Sequence, residues 1–100
     1  MTEKEILVFP ETGEFAENKD TAQKLRTNQI LPALDAYAAV ILNFEKVEGV
    51  TQSFVHALIS EIIRKKGLDV LDRIYFKNCN TTVKKMISIV VDYMQDNWQS

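Results

Sequence analysis

The side chains able to do chemistry gather in one stretch of this chain. Ser53 and His56 lie three residues apart, a spacing that puts both on one face of a helix. A serine beside a histidine is the start of a nucleophile–base pair, which also needs an orienting acid and oxyanion donors. Asp35, Asp69 and Asp72 are the acids on offer, and no spacing ties any of them to the pair. A Gly-x-Ser-x-Gly elbow is absent. Ser53 also has readings without catalysis. It stands where a polar turn gives way to an amphipathic helix, beside the unpaired N–H groups of a helix N-terminus. That setting suits a phosphate on the serine, or a nucleotide or other anion held at Thr51–Ser53. The plainest reading makes Ser53 a helix cap or first-turn residue bonding a backbone N–H and His56 a solvated helix-face residue.

Other chemistries find little support. His56 and Cys79 are the single histidine and the single cysteine, and they lack the ligand spacings of a zinc site. No metal and no cofactor are expected. Three scattered glycines build no phosphate-cradling loop. Glu45 and Glu48 flank the turn and read as a solvated loop. One cysteine allows no intrachain disulfide, and Met1 opens no signal peptide; both point to a reducing, cytoplasmic setting. In that setting the sequon Asn80-Thr81-Thr82 carries no glycan, and Asn80 or Thr81 reads as the cap of the next helix. The formal net charge is -2, and no basic tract interleaved with aromatics suggests nucleic acid. Arg64-Lys65-Lys66 sits at a helix C-terminus, where cations complement the dipole. No apolar run approaches the roughly 20 residues of a membrane span. Tyr93 and Trp98 read as aromatics that fold back on the core or form a small contact patch.

One domain, 1–100, with a core over about 6–96, is expected at this length. Ile6-Leu7-Val8-Phe9, closed by Pro10, reads as a strand. Glu11-Thr12-Gly13-Glu14 is turn chemistry, and Phe15-Ala16 a second short strand. Asn18 or Asp20 caps a helix reaching about Tyr37, with a kink or break near Thr27-Asn28 forced by Pro32. Val40–Phe44 is a short apolar strand of the kind covered on both faces. Thr51 to Lys66 is a helix stopped by Gly67. Phe54, Val55, Leu58, Ile59 and Ile62 share its apolar face, and Ser53, His56 and Ser60 lie opposite. Arg73–Lys77 is a strand. Thr81 to Asp96 is a helix burying Val83, Met86, Ile87, Val90 and Met94. Alternating strands and helices predict an α/β sandwich with at least part of its sheet parallel.

This order of elements resembles the STAS domains, as does Val40–Phe44 followed by Val47-Glu48-Gly49-Val50-Thr51-Gln52-Ser53-Phe54. More closely, the chain resembles the small bacterial and phage STAS-like domains of unknown function. The resemblance covers residues 6–96 and implies a STAS-like sandwich, with a mixed sheet of about four strands and about three helices packed on it. In the related anti-sigma factor antagonists the turn reads Asp-Ser-Ser-Gly, and the second serine is phosphorylated by a partner kinase. Here Thr51 takes the aspartate position, Gln52 the first serine, Ser53 the phosphorylated serine and Phe54 the glycine. Serine followed by phenylalanine is typical of the STAS-like subfamily. The resemblance implies a non-enzymatic regulatory module that docks a protein partner, of the histidine-kinase-like ATPase class or another small regulator. Glu48, Gly49, Thr51, Gln52, Ser53, His56 and Ser60 would form the docking surface.

Overall fold

A computed structural model describes residues 2–97. In chain order the elements are β1 (Glu3–Leu7), α1 (Phe9–Thr12), β2 (Phe15–Ala16), α2 (Lys19–Leu25), a π-helical turn (Arg26–Ile30), α3 (Leu31–Ala36), β3 (Ala39–Asn43), β4 (Gly49–Val50), α4 (Gln52–Lys66), a 3-10 segment (Leu68–Arg73), β5 (Ile74–Lys77) and α5 (Thr81–Asn97). The α/β class holds, but the sheet does not form as expected. Among the described residues two parallel sheets, β1-β3-β5 and the short pair β2-β4, stand in place of one mixed sheet of about four strands. Among the described residues five α-helices replace the expected three.

Each difference has a local cause. Proline lacks an N–H and is preset for the first turn of a helix. Pro10 therefore opens α1 rather than merely closing a strand, and β1 ends at Leu7. Asn18 caps α2, its Oδ1 accepting from the N–H groups of Asp20 and Thr21. Downstream, Pro32 is accommodated by the π-helical turn over Arg26–Ile30, and helix resumes as α3. The break expected near Thr27-Asn28 is this turn. The bulged backbone relieves the proline's missing bond without ending the helical path.

In the three-stranded sheet the register sets Val40 opposite Ile74 and Leu42 opposite Ile6 and Phe76. Val40, Leu42, Ile6 and Ile74 are buried. The alternate residues face the other way, and there the expectation of cover on both faces fails. Leu7 is 53% and Tyr75 54% exposed, and Ile41 is only half-buried. The sheet steps in one direction, β1 to β3 to β5, so right-handed crossovers lay their helices on one face.

That covered face holds the core, and α4 runs through its middle with α2 on one flank and α5 on the other. Phe54, Val55, Leu58, Ile59 and Ile62 are buried as expected, and so is Ile63. A helix with neighbours on both flanks buries a wider arc than an amphipathic surface helix. Gly67 (φ 90°) closes α4, its N–H reaching the Ile63 carbonyl. α5 buries Val83, Ile87, Val90 and Met94, with Met86 half-buried. Two polar residues brace the sheet. Buried Asn43 donates to Glu5 Oε2 at 2.6 Å and accepts from the Glu45 N–H and Asn78 Nδ2. The Arg73 guanidinium donates to the carbonyls of Leu34, Tyr37 and Ala38, satisfying the end of α3.

Leu58 is 1% exposed, whereas Ser60 is half-buried on the outer side of α4. Urea unfolding should therefore show Leu58→Ala costing about 2–5 kcal/mol and Ser60→Ala less than about 0.5 kcal/mol. Equal losses would mean that α4 is rotated.

Candidate functional site

The turn before α4 is held far more firmly than a solvated loop. Val47 donates to the Phe44 carbonyl, and Phe44 to the Lys77 carbonyl. The N–H groups of Glu48 and Gly49 both reach the Glu14 carbonyl, at 2.7 and 3.2 Å, and Thr51 donates to Ala16 at 3.0 Å. These bonds join β4 to β2, so residues 49–50, read from sequence as part of the turn, form a strand. Asn80 adds a long-range tie. Its Nδ2 donates to the Glu48 carbonyl at 2.9 Å, while its Oδ1 accepts from the Val83 N–H as the cap of α5. Lys46 takes the left-handed conformation (φ 73°), and its ammonium lies 5.9 Å from the centroid of the Phe9 ring, within cation–π range.

Thr51, not Ser53, caps α4. The Thr51 hydroxyl accepts from the Phe54 N–H at 3.1 Å. Ser53 sits two residues further in, with its Oγ 3.4 Å from Thr51 Oγ1. The N–H groups of Gln52 and Ser53 have no hydrogen-bond partner among the described residues. Thr51, Gln52, Ser53 and His56 are exposed, as is Glu48, while Gly49 and Ser60 are half-buried. The expected docking residues thus lie along one outward strip.

No hydrogen bond joins Ser53 to His56 among the described residues. None of the three candidate acids is brought to them. Asp35 pairs with Lys66 in the last turn of α4, about 20 Å from Ser53 at 1.5 Å rise per residue. Asp69 and Asp72 lie in the 3-10 segment beyond that same end.

Beside the strip stands a residue that sequence reasoning left out. Phe15 is 60% exposed, and its ring carbon lies 3.5 Å from where a Cβ on Gly49 would sit. The only sequence signal was an aromatic in a two-residue strand too short to show a period. Around it Phe15, Glu17, Gly49, Val50 and Thr51 line a depression of about 130 Å³. Cys79 lies away from the strip, half-buried after β5. Burial pushes its thiol above the ordinary value, partly opposed by the Lys84 ammonium. Tyr93 is exposed, and Trp98 falls outside the described residues. Among the described residues no group of three or more metal-ligating side chains is found, and no helix is long and apolar enough to cross a membrane.

Residues 21–84 match the STAS-like domain of unknown function (DUF4325). The chain belongs to that family. The match runs from the first turn of α2 into the first turn of α5 and contains the whole strip from Glu48 to Ser60. No curated protein and no solved structure matches the chain. In this STAS-like domain Phe54 is fully buried. Its ring is spent on the core and leaves the outward strip unobstructed.

Two predictions follow from this geometry. Thr51→Ala should destabilise the fold by about 1 kcal/mol through loss of the cap, whereas Ser53→Ala should stay within about 0.5 kcal/mol; chemical denaturation of the two variants checks this. Thiolate is the reactive form, so a raised pKa leaves less of it at a given pH. Cys79 should alkylate more slowly at mildly alkaline pH than an unstructured cysteine peptide. Lys84→Ala should move the pH–rate curve further upward.

Proposed function

We propose that this STAS-like domain is a non-enzymatic regulatory module of the bacterial or phage cytoplasm. It docks a partner protein through the Glu45–Val50 turn and the outward strip Thr51, Gln52, Ser53, His56 and Ser60, with Phe15 as the apolar anchor. The observation that carries this reading is the pairing of an exposed aromatic with an exposed, rigidly held polar strip. Aromatic residues framed by polar groups are the usual centres of protein interfaces. The tethers at Glu14, Ala16 and Asn80 support it further, because a surface already ordered loses little entropy on binding. By family resemblance the partner is a histidine-kinase-like ATPase or another small regulator, and Ser53 is the residue it modifies.

An anion reading survives in a narrower form. The depression beside Gly49, at about 130 Å³, is too small to enclose a nucleotide, since ligand pockets usually span about 300–1,000 Å³. A phosphate carried on Ser53 needs no enclosure. The unpartnered N–H groups of Gln52 and Ser53 and the helix dipole favour it by roughly 0.3–1 kcal/mol. It would add about -1.5 to -2 charges at pH 7 to the middle of the docking strip, and so would serve as an off-switch. The hydrolase reading has the weakest support, because Ser53 and His56 are neither bonded to each other nor joined by an acid.

The test is a pull-down from the host with mass spectrometry of Ser53, followed by titration of the identified partner. Ser53→Asp should leave the fold intact and weaken binding by about tenfold or more, or 1.4 kcal/mol. Phe15→Ala should weaken it by about 2 kcal/mol, as for an interface anchor. His56→Ala should change stability by less than about 0.5 kcal/mol and alter no ester hydrolysis. Unchanged partner affinity in both Ser53→Asp and Phe15→Ala would reject this surface, and His56-dependent turnover would restore the hydrolase.

A further inference from the structure

Among the described residues no strand pairs with the outer side of β5. Successive residues of a strand in a parallel ladder turn their backbone groups alternately to the two neighbours. The Lys77 carbonyl accepts from the Phe44 N–H, so Lys77 and Tyr75 both face β3. The N–H and C=O of Phe76 and the C=O of Ile74 therefore point away from the sheet. The Ile74 N–H is already taken by the Leu71 carbonyl. The opposite edge, β1, is guarded by Glu3, Lys4 and Glu5, charges of the kind that deter strand addition. On β5 no charge precedes Lys77.

Alongside this open edge runs a groove between β5 and α5, of about 440 Å³. Ile74, Phe76 and Ile87 give it an apolar wall, and Lys84, Ser88 and Cys79 a polar one. No carboxylate lines it; Lys77, on the other face of the strand, is paired with Glu5 at 3.6 Å, so Lys84 is the cation of the groove. Free backbone groups beside a pocket for alternate side chains are the two requirements of β-strand addition, one giving affinity and the other specificity.

We propose that the β5 edge receives an extended segment of a partner protein. The segment carries alternating apolar residues that fill the groove over Phe76 and Ile87, and an acidic residue that meets Lys84. Charge selects this occupant over a second copy of the chain. Pairing β5 with β5 brings two lysine-bearing grooves together with no acid between them. Pairing β5 with the acidic β1 of another copy is head-to-tail and does not close. The surface is separate from the Ser53 strip, which lies on β4 and α4, so the two are tested independently.

The experiment pans displayed peptides of about ten residues, a usual strand length, on the purified chain and titrates the best one against it by NMR. Selected peptides should alternate apolar residues and hold an Asp or Glu. Binding should shift the Phe76, Ile87 and Ser88 amides and slow exchange of the Phe76 N–H. Ser88→Arg, an exposed position on the groove wall, should weaken binding by roughly tenfold or more. Lys84→Glu should do the same and be rescued by a peptide with Lys in place of its acid. Ser53→Asp should change nothing. Failure to select any peptide, a consensus without an acid, or shifts confined to α4 would overturn the proposal. A chain that dimerises in sedimentation, and stops doing so as Ser88→Arg, would assign the edge to a second copy instead.

Discussion

From β1 to β3 and from β3 to β5 the chain steps across its sheet in the same direction, and repeated right-handed crossovers stack their helices on one face. Most of the structure depends on that constraint. It collects α2 and α4 above Val40, Leu42, Ile6 and Ile74, and α5, which follows the last strand, packs beside α4 to complete a single core. It makes α4 the middle helix, so six of its apolar side chains are buried and its remaining strip is forced outward. It also leaves Leu7 and Tyr75 exposed on the opposite face of the sheet and both outer strands as edges. On that face Asn43 closes the end of β3, a buried amide whose donor and acceptor are both used. Without those bonds it would cost roughly 1–3 kcal/mol as an unsatisfied group.

The site before α4 is built from pieces far apart in sequence. Glu14 and Ala16 hold β4 by backbone bonds, and Asn80 binds the Glu48 carbonyl while capping α5. The position of the turn is thereby linked to the start of two helices. A partner docking there meets a preformed surface, and a charge placed on Ser53 acts on a fixed geometry rather than a mobile loop. Preorganisation of this kind converts a local electrostatic change into a difference in affinity.

The two proposed surfaces use different physics. The Ser53 strip offers an aromatic anchor and a modifiable hydroxyl on a helix shoulder. The β5 edge offers main-chain hydrogen bonds beside an apolar groove. In the proposed roles, one would be switched by charge at a helix N-terminus, and the other would select a pattern of side chains. Because they lie on different elements, the two proposed contacts would not compete for the same residues.

Much of this was legible in the residues themselves. Thr51 to Gly67, with its apolar period and glycine stop, determined α4 and turned Ser53 and His56 away from Phe54 and Leu58. Asn18, Pro32 and Asn80 determined a cap, a break and a second cap, because each acts on backbone groups within a few residues. The family motif around Ser53 was likewise local. Pairing partners were not legible. Two-residue strands such as Phe15-Ala16 and Gly49-Val50 show no period, so only the folded chain decided that they meet each other and place Phe15 beside the site. Thr51 rather than Ser53 became the cap because the β4 pairing fixed where the extended backbone ends. Whether β3 would be covered on one face or two depended on the direction of each crossover. Direction is set by how distant segments pack, and no window of sequence encodes it.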